Sequence, residues 1–506
     1  MTVRILLVTG KLAFNAVQEV AKRIGAEVIS LDYPVAALMT VEFIAENLKK
    51  IKEKLKGFDL IIIPGLVSGD AKVIEDAVGI KTYKGTEDIY DLPSAIELLK
   101  KGVGLSTVYP ADKLVQIERG RNINEILKTI EDHGEYKFEV GGLKIPITPP
   151  PFRIFLEVDA SKPLNDLIKE VEEKKDYVDV IVLGFPNGHF DLDEVRSKVS
   201  ALRELKVVGI DSASPKELIE GVKAGASFVF NLNEENFEEL KSVKSDACFV
   251  IAPFSTENRA EITLKIYEKA KQNGFEKVIL DPVMSPPLFG VVDSIIQYKK
   301  VREGVRDEPM LMGVLNVTEL IDADSVGVNA LMTVIAGELG VANLLVMDKG
   351  KTSGSAMEVR RASQMVSIAI KEHRLPKDLG IDLLILKDKR KVKSVVDLYS
   401  PEIVEGHIEP RNMDRGFVKI SKDDHYIYLN WYGKEKFTLI GKDGLSLGRR
   451  LIEKVNVNPE HALYIGYELA KAEIALQLGK EYIQDKPLFK YGYYSFNSVR
   501  DKKDGG

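Results

Sequence analysis

Five polar residues are set apart by what precedes them. Asp159 closes the run IFLEVD, Asp211 the run VVGID, Asn231 the run FVFN, Asp281 the run VILD and Asn316 the run LMGVLN. Each run is apolar enough for a strand buried on both faces, as in a parallel sheet. Asp and Asn favour turns and helix caps in any protein, so one such residue alone reads equally well as a local cap. Four or five at equivalent strand ends point instead to a common ligand. A hard cation would be held weakly by these groups without a phosphate substrate, and no histidine or cysteine cluster accompanies them. A flat heterocycle with both donors and acceptors suits them better. A 2-amino-4-oxo pteridine offers N3–H and a 2-amino group on one edge to a carboxylate, and its ring nitrogens and 4-oxo group match an amide's mixed donor and acceptor. Desolvated polar groups discriminate strongly, because a wrong ligand leaves them unpaired.

Strand ends converge on one ligand when the strands close on themselves. Between residues 152 and 375, eight strand-like runs (IFLEV, DVIVLG, KVVGIDS, FVFNLN, CFVIAP, KVILDP, MLMGVLN, NLLVMD) alternate with helix-compatible segments such as PLNDLIKEVEEKK. That count predicts a TIM (β/α)8 barrel, whose functional groups sit at the C-terminal ends of its strands. Residues 1–145 alternate RILLVTG, AEVISLD and DLIIIPG with charged amphipathic stretches, predicting a small doubly wound, Rossmann-like α/β domain. Its loops at Gly10 and at Gly65 to Asp70 lie where such sheets take ligands. VTGKLAFN nevertheless lacks phosphate-loop spacing, and no dinucleotide glycine fingerprint follows the first strand. In YKFEVGGLKIPITPPPF, Gly141, Gly142, Pro146 and the triplet Pro149 to Pro151 predict an extended boundary. Residues 380–500 change character. GFVKISKDDHYIYLNWYGKEKFTLIGK alternates polar and apolar residues as antiparallel strands do, with Trp431, Tyr426 and Tyr428 packing on the sheet, and Asn458-Pro459 opens a helix that Gly479 ends. This predicts a C-terminal α+β domain followed by a disordered tail, VRDKKDGG.

With 506 residues the chain is too long for one ordinary core, and 45% hydrophobic with 29% charged residues describes a soluble globular protein. A formal charge of −6 argues against nucleic acid as a partner. No apolar run reaches membrane-spanning length, and the N-terminus enters a strand-like run at once, so a cytoplasmic location is expected. Cys248 is the single cysteine, which rules out an internal disulfide and any cysteine-cluster metal site; its setting, DACFVIAP, reads as a buried strand. Abundant Lys and Glu lean toward a thermophile.

The motifs IDSAS, FNLN, VILDP and GVLNVT, the last followed by GVNALMTVIAGELG, stand in barrel order. Together they resemble the pterin-binding superfamily, which includes dihydropteroate synthase and the pterin-dependent methyltransferases. The three-part chain resembles archaeal dihydropteroate synthase-related proteins. The resemblance implies that Asp281 pairs with the pterin N3 and 2-amino edge, that Asp211 and Asn231 meet the other ring nitrogens, and that Asn316 faces the ring. Asp211 and Asn316 are then the catalytic candidates. A reduced pterin, a dihydropterin or a tetrahydropterin of the methanopterin or folate kind, becomes the substrate or cofactor in one-carbon metabolism.

The resemblance implies a dihydropteroate synthase-like transferase that joins or processes a dihydropterin at the barrel mouth, with methyl transfer from a tetrahydropterin N5 as the alternative. A synthase ends its seventh strand in Ser-Arg-Lys, which GVLNVT lacks, whereas a methyltransferase places an asparagine there near N5, as Asn316 would stand. EVDAS on the first strand lacks either branch's asparagine motif. The loop DKGKTSGS, with Lys349, Lys351, Thr352 and Ser353, lies where barrels bind phosphate and would hold a diphosphate, with Mg2+, or an anionic tail; Arg360 and Arg361 follow in the next helix. The methyltransferase branch implies a corrinoid protein as partner. A barrel that binds pterin without turnover is the third alternative, and a homodimer is compatible with all three. His189, in GFPNGHFD, reads as a surface residue. HALYIGYELAKAEIALQLG resembles a domain found beside methanopterin methyltransferase subunits, where His461, Tyr464 and Glu468 form either a ligand face or a packed helix face.

Overall fold

The computed structural model describes residues 3–387 and 416–489, with side chains outside 116–122. The predicted tail VRDKKDGG lies outside the described residues.

Strand composition decides strand position. The runs ILLVT (β1, Ile5–Thr9) and LIII (β3, Leu60–Ile63) are buried at every residue, whereas EVIS (β2, Glu27–Ser30) and KTYK (β4, Lys81–Lys84) are partly exposed. They form a parallel sheet in the order β2-β1-β3-β4, with the apolar strands central and the mixed ones at the edges. Successive residues of β1 and β3 point to opposite faces. Leu6, Val8, Ile61 and Ile63 pack with Val41, Ile44 and Leu48, while Ile5, Leu7, Leu60 and Ile62 pack with Val17, Val20 and Ile96. Helices therefore cover both faces, as the doubly wound reading expects.

Where the sequence suggests an extended boundary, the chain makes a hairpin, β5 (Tyr136–Val140) with β6 (Leu143–Pro146). Gly141 and Gly142 both take positive φ, 58° and 77°, as a tight two-residue hairpin turn requires. Val140 and Ile145 pack onto Phe155, Val180 and Phe228, and a Cβ on Gly141 would touch Ser227 and Val207 at the start of neighbouring strands. Arg153 Nε also donates to Lys144 O at 2.9 Å. The hairpin thus floors the N-terminal end of the barrel.

All eight predicted barrel runs are strands: β7 (Arg153–Asp159), β8 (Val180–Gly184), β9 (Val207–Asp211), β10 (Phe228–Leu232), β11 (Cys248–Ile251), β12 (Val278–Leu280), β13 (Leu311–Gly313) and β14 (Asn343–Met347). They run parallel in sequence order, with β14 returning to β7. A bridge between Leu280 and Met310, with Leu280 N–H donating to Pro309 O at 2.9 Å, joins β12 to the β13 side. Alternate residues such as Phe155, Val182, Phe228, Cys248, Val250 and Leu311 fill the interior, and Ile154, Leu156, Ile181 and Val208 face the helices. Asn316 departs from its expected place. β13 stops at Gly313, and Leu315–Thr318 is a helical turn that buries Val317 and Thr318; an apolar run alone does not show where strand gives way to helix.

The chain divides into two compact units, Met1–Lys389 and Arg390–Gly506, so the four-stranded sheet and the barrel share the first. In the second, β15 (Phe417–Lys422), β16 (Ile427–Tyr432) and β17 (Lys436–Gly441) form an antiparallel sheet. Its inner residues Val418, Ile427, Leu429 and Trp431 pack with Leu451, Ile465 and Leu469 of two helices. Asn458 caps the second of these at His461 N–H, 2.8 Å. Glu468 lies buried, accepting from Tyr482 Oη at 2.7 Å and Lys471 Nζ at 2.6 Å, and Tyr464 Oη donates to Asp485 at 2.7 Å. Among the described residues no helix is long and apolar enough to cross a membrane.

Candidate functional site

A cavity of about 900 Å3 opens at the C-terminal ends of the barrel strands, and Asp211, Asn231, Glu157, Asp159 and Lys349 line it. Asp211 reaches it by simple alternation, because Val208 and Ile210 face the helices and the next odd residue faces in. Asn231 needs a device. Phe230 already points inward and Leu232 outward, so a regular strand would turn Asn231 away. Instead the β10–β11 register shifts between Val229 and Leu232, and Asn231 adopts φ 67°, a left-handed conformation that Asn tolerates better than most residues. Asn236 Nδ2 pins this kink by donating to Asn231 O at 2.8 Å. Asn231 Nδ2 then donates to Asp211 Oδ1 at 2.6 Å. Burial pushes the Asp211 carboxyl up to about 6, with the Asn231 bond offsetting part of the rise.

Glu157 does not end its strand, so the rule that picks out strand-end residues passes over it. Its signal is a charged residue two places after Phe155, on a strand whose first four residues are all buried, which alternation directs inward. Gly184, on the adjacent strand, makes room for it: a Cβ there would stand 2.9 Å from Glu157 Oε1. Burial, then repulsion from Asp211 and Glu319, pushes the Glu157 carboxyl up to about 7, while Lys349 pulls the other way. Asp159 behaves oppositely. Its Oδ1 accepts the Ser161 hydroxyl at 2.6 Å and the Ser161 N–H at 3.0 Å, and these bonds hold its carboxyl below the usual range.

Asp281 and Asn316 stand one layer behind, at either side of the turn after β12. Asp281 Oδ1 accepts Tyr298 Oη at 2.5 Å and Val283 N–H at 2.7 Å, and burial pushes its carboxyl up to about 6. Asn316 Nδ2 donates to Met284 O at 2.9 Å, and Arg259 Nη1 to Val283 O at 2.9 Å. Val283 lines the cavity with φ 64°, a costly conformation for a β-branched residue. The two sequence-predicted side chains thus clamp a strained turn that forms the cavity wall.

Of the phosphate-loop candidates, Lys349 lines the cavity. Lys351 pairs with Asp322 at 2.7 Å, Thr352 is buried with its hydroxyl donating to Lys349 O at 2.8 Å, and Ser353 is exposed. Asp348 fills the start of the following helix, accepting Gly354 N–H at 3.0 Å and Ala356 N–H at 2.9 Å. These amides, which would greet an external anion, are taken by the chain's own carboxylate. Arg360 pairs with Asp179 at 2.7 Å, and Arg361 donates to Asp382 O at 3.2 Å. His189 is half-buried, its Nδ1 2.6 Å from Glu217 and its Nε2 2.8 Å from Glu194, and these contacts, Glu194 first, raise its pKa. Glu157, Asp159, Glu170, Asp211, Glu235, Glu239 and Asp348 line the cavity against Lys162 and Lys349. Among the described residues no three His, Cys, Asp or Glu side chains are grouped so as to hold a metal ion.

Comparison with known proteins supplies further findings. The family model named PterinBD-DUF4346 matches residues 414–485, and a family of unknown function, DUF6513, matches residues 3–87. An uncharacterised protein of Methanocaldococcus jannaschii is 32% identical over 530 positions, covering 96% of this chain and 99% of that protein. A dihydropteroate synthase of Coxiella burnetii, solved with pteroic acid, is 14% identical over 47% of this chain and 99% of its own, with a TM-score of 0.39. The Xanthomonas albilineans synthase, solved with 7,8-dihydropteroate, is 14% identical over 43% and 94%, with a TM-score of 0.34. The chain belongs to one family with the M. jannaschii protein, which it matches over nearly its whole length.

Proposed function

We propose that the barrel mouth binds a reduced pterin and moves a one-carbon unit from it. The observation that carries this reading is the Asp211–Asn231 pair, bonded at 2.6 Å and set beside Glu157 in one cavity. Asp211 and the Asn231 amide supply the acceptor and the mixed donor and acceptor that the ring nitrogens and 4-oxo group require. Asp281, one layer behind the cavity, acts as a positioning residue by accepting Val283 N–H and so holding the wall against which the ring lies. Asn316 acts as a positioning residue through Met284.

Two features favour one-carbon transfer over condensation with loss of diphosphate. A departing diphosphate needs cations or free amides aimed at it, whereas here the loop amides serve Asp348 and acids outnumber lysines around the cavity. Loss of a methyl group from N5 of a tetrahydropterin needs a proton on that nitrogen, and burial beside Asp211 pushes the Glu157 carboxyl up to about 7, where it can both hold and give up a proton at neutral pH. In the proposed step Glu157 gives its proton to N5 as the methyl passes, without the N–C bonding pair, to a nucleophilic acceptor such as a reduced corrinoid.

Calorimetry with 5-methyl-tetrahydropterin, hydroxymethyl-dihydropterin and its diphosphate tests this, followed by incubation of the first with cob(I)alamin. The methyl compound is expected to bind and lose its methyl group, and the diphosphate to bind no tighter than its parent alcohol. A diphosphate bound about tenfold tighter would restore the synthase reading. Binding without demethylation would leave a pterin-binding module, and failure of all three to bind would end the pterin reading.

A further inference from the structure

The four-stranded sheet carries a second cavity, separate from the barrel mouth. In the order β2-β1-β3-β4 the chain leaves β1 toward one edge and returns to build the other, so the topological switch falls between β1 and β3. Open parallel sheets take ligands at that place, beyond the carboxyl ends of the strands. A cavity of about 410 Å3 lies there, walled by Leu12, Val35 and Leu66 from the loops after β1, β2 and β3. That volume falls within the range of small-molecule pockets.

The hollow is framed by backbone. A Cβ on Gly10 would meet Ala36 N at 2.8 Å, one on Gly65 would meet Glu87 N at 2.8 Å, and one on Gly85 would meet Ile62 Cγ2 at 2.8 Å. Glycine lets these loops cross in direct contact and leaves the space between them open. Leu12 and Leu66 stand 78% and 52% exposed, apolar side chains held in water on either side of the opening. Thr9 lines the cavity and is fully buried, yet its hydroxyl makes one hydrogen bond, a 3.4 Å contact to the carbonyl of Gly10. That distance is at the limit of a hydrogen bond, and buried hydroxyls ordinarily have better partners. Thr86 and Asp88 complete the polar edge, with Thr86 Oγ1 donating to Asp88 O at 2.6 Å and Asp88 Oδ1 accepting Tyr90 N–H at 3.0 Å. Glu87 and Asp88 outnumber Lys377 among the lining residues, which disfavours phosphate.

We infer that this cavity binds an uncharged, flat nitrogen heterocycle of nucleoside size, its ring between Leu12 and Leu66 and its N–H or O–H groups on Thr9, Thr86 and Asp88. The site is independent of the pterin reading. Saturation-transfer NMR on the full chain with adenosine, guanosine and their monophosphates tests it. At least one nucleoside is expected to bind, with its monophosphate about tenfold weaker because the added charge meets acids. Thr9→Val, close to isosteric, is expected to weaken binding about fivefold through the lost hydroxyl. Leu66→Glu, at an exposed position, removes one wall and should abolish binding, while Asp211→Asn in the barrel leaves it unchanged. Absence of signal from both nucleosides overturns the inference. So does a monophosphate that binds tighter than its nucleoside, or binding that survives both Thr9→Val and Leu66→Glu.

Discussion

Asn231 has two jobs that substitution can separate. Its backbone takes φ 67° and its amide holds Asp211. Asn231→Gly keeps the first and loses the second, so pterin affinity should fall about tenfold while the urea midpoint stays near wild type. Asn231→Ala loses both and should add about 1 kcal/mol of destabilisation, read from the same titration. The raised carboxyls have their own signature. An acid whose folded pKa exceeds its unfolded one binds more protons when folded, so stability falls as pH climbs between the two values. For Asp211 and Asp281 that window runs from 3.8 to about 6, and for Glu157 from 4.5 to about 7. Glu157→Gln should therefore melt with wild type near pH 4 but above it at pH 8, by up to about 3 kcal/mol, in thermal scans across that range. Equal melting points at both pH values would show that Glu157 is not a strained acid. Asp211 and Asn231 were legible in the sequence because they end apolar runs. Glu157 sits inside one, and its meaning depends on which face of the strand closes inward.

Elements were legible where one period persists. The eight barrel strands are apolar on both faces, so each was visible in the chain as a short apolar run. The β5–β6 hairpin was hidden because its glycines and prolines also describe an extended linker. Gly141→Ala tests its turn: at φ 58°, with a Cβ 2.8 Å from Ser227 Oγ, it should cost about 1–2 kcal/mol in urea unfolding. The loop after β14 misled for a different reason. Lysines and small hydroxyl residues describe a phosphate cradle by composition, but Asp348 lies one residue before them and reaches the helix amides first. Competition of that kind depends on three-dimensional reach, which residue types alone do not fix.

At the scale of the molecule, two compact units each own a core, the second built around Val418, Ile427, Leu429 and Leu469. Separate cores predict separate cooperative transitions. Leu429 is fully buried, and Leu429→Ala should lower one calorimetric transition by about 2–5 kcal/mol while the other stays in place. A single transition that shifts as a whole would show that the units unfold together. The floor laid by the β5–β6 hairpin matters at this scale too. With the interior packed by Phe155, Val182 and Phe228 and the hairpin laid across the far end, whatever enters by the rim leaves by the rim. A molecule seated at the rim then stands between the barrel and any second one, which has to approach over it.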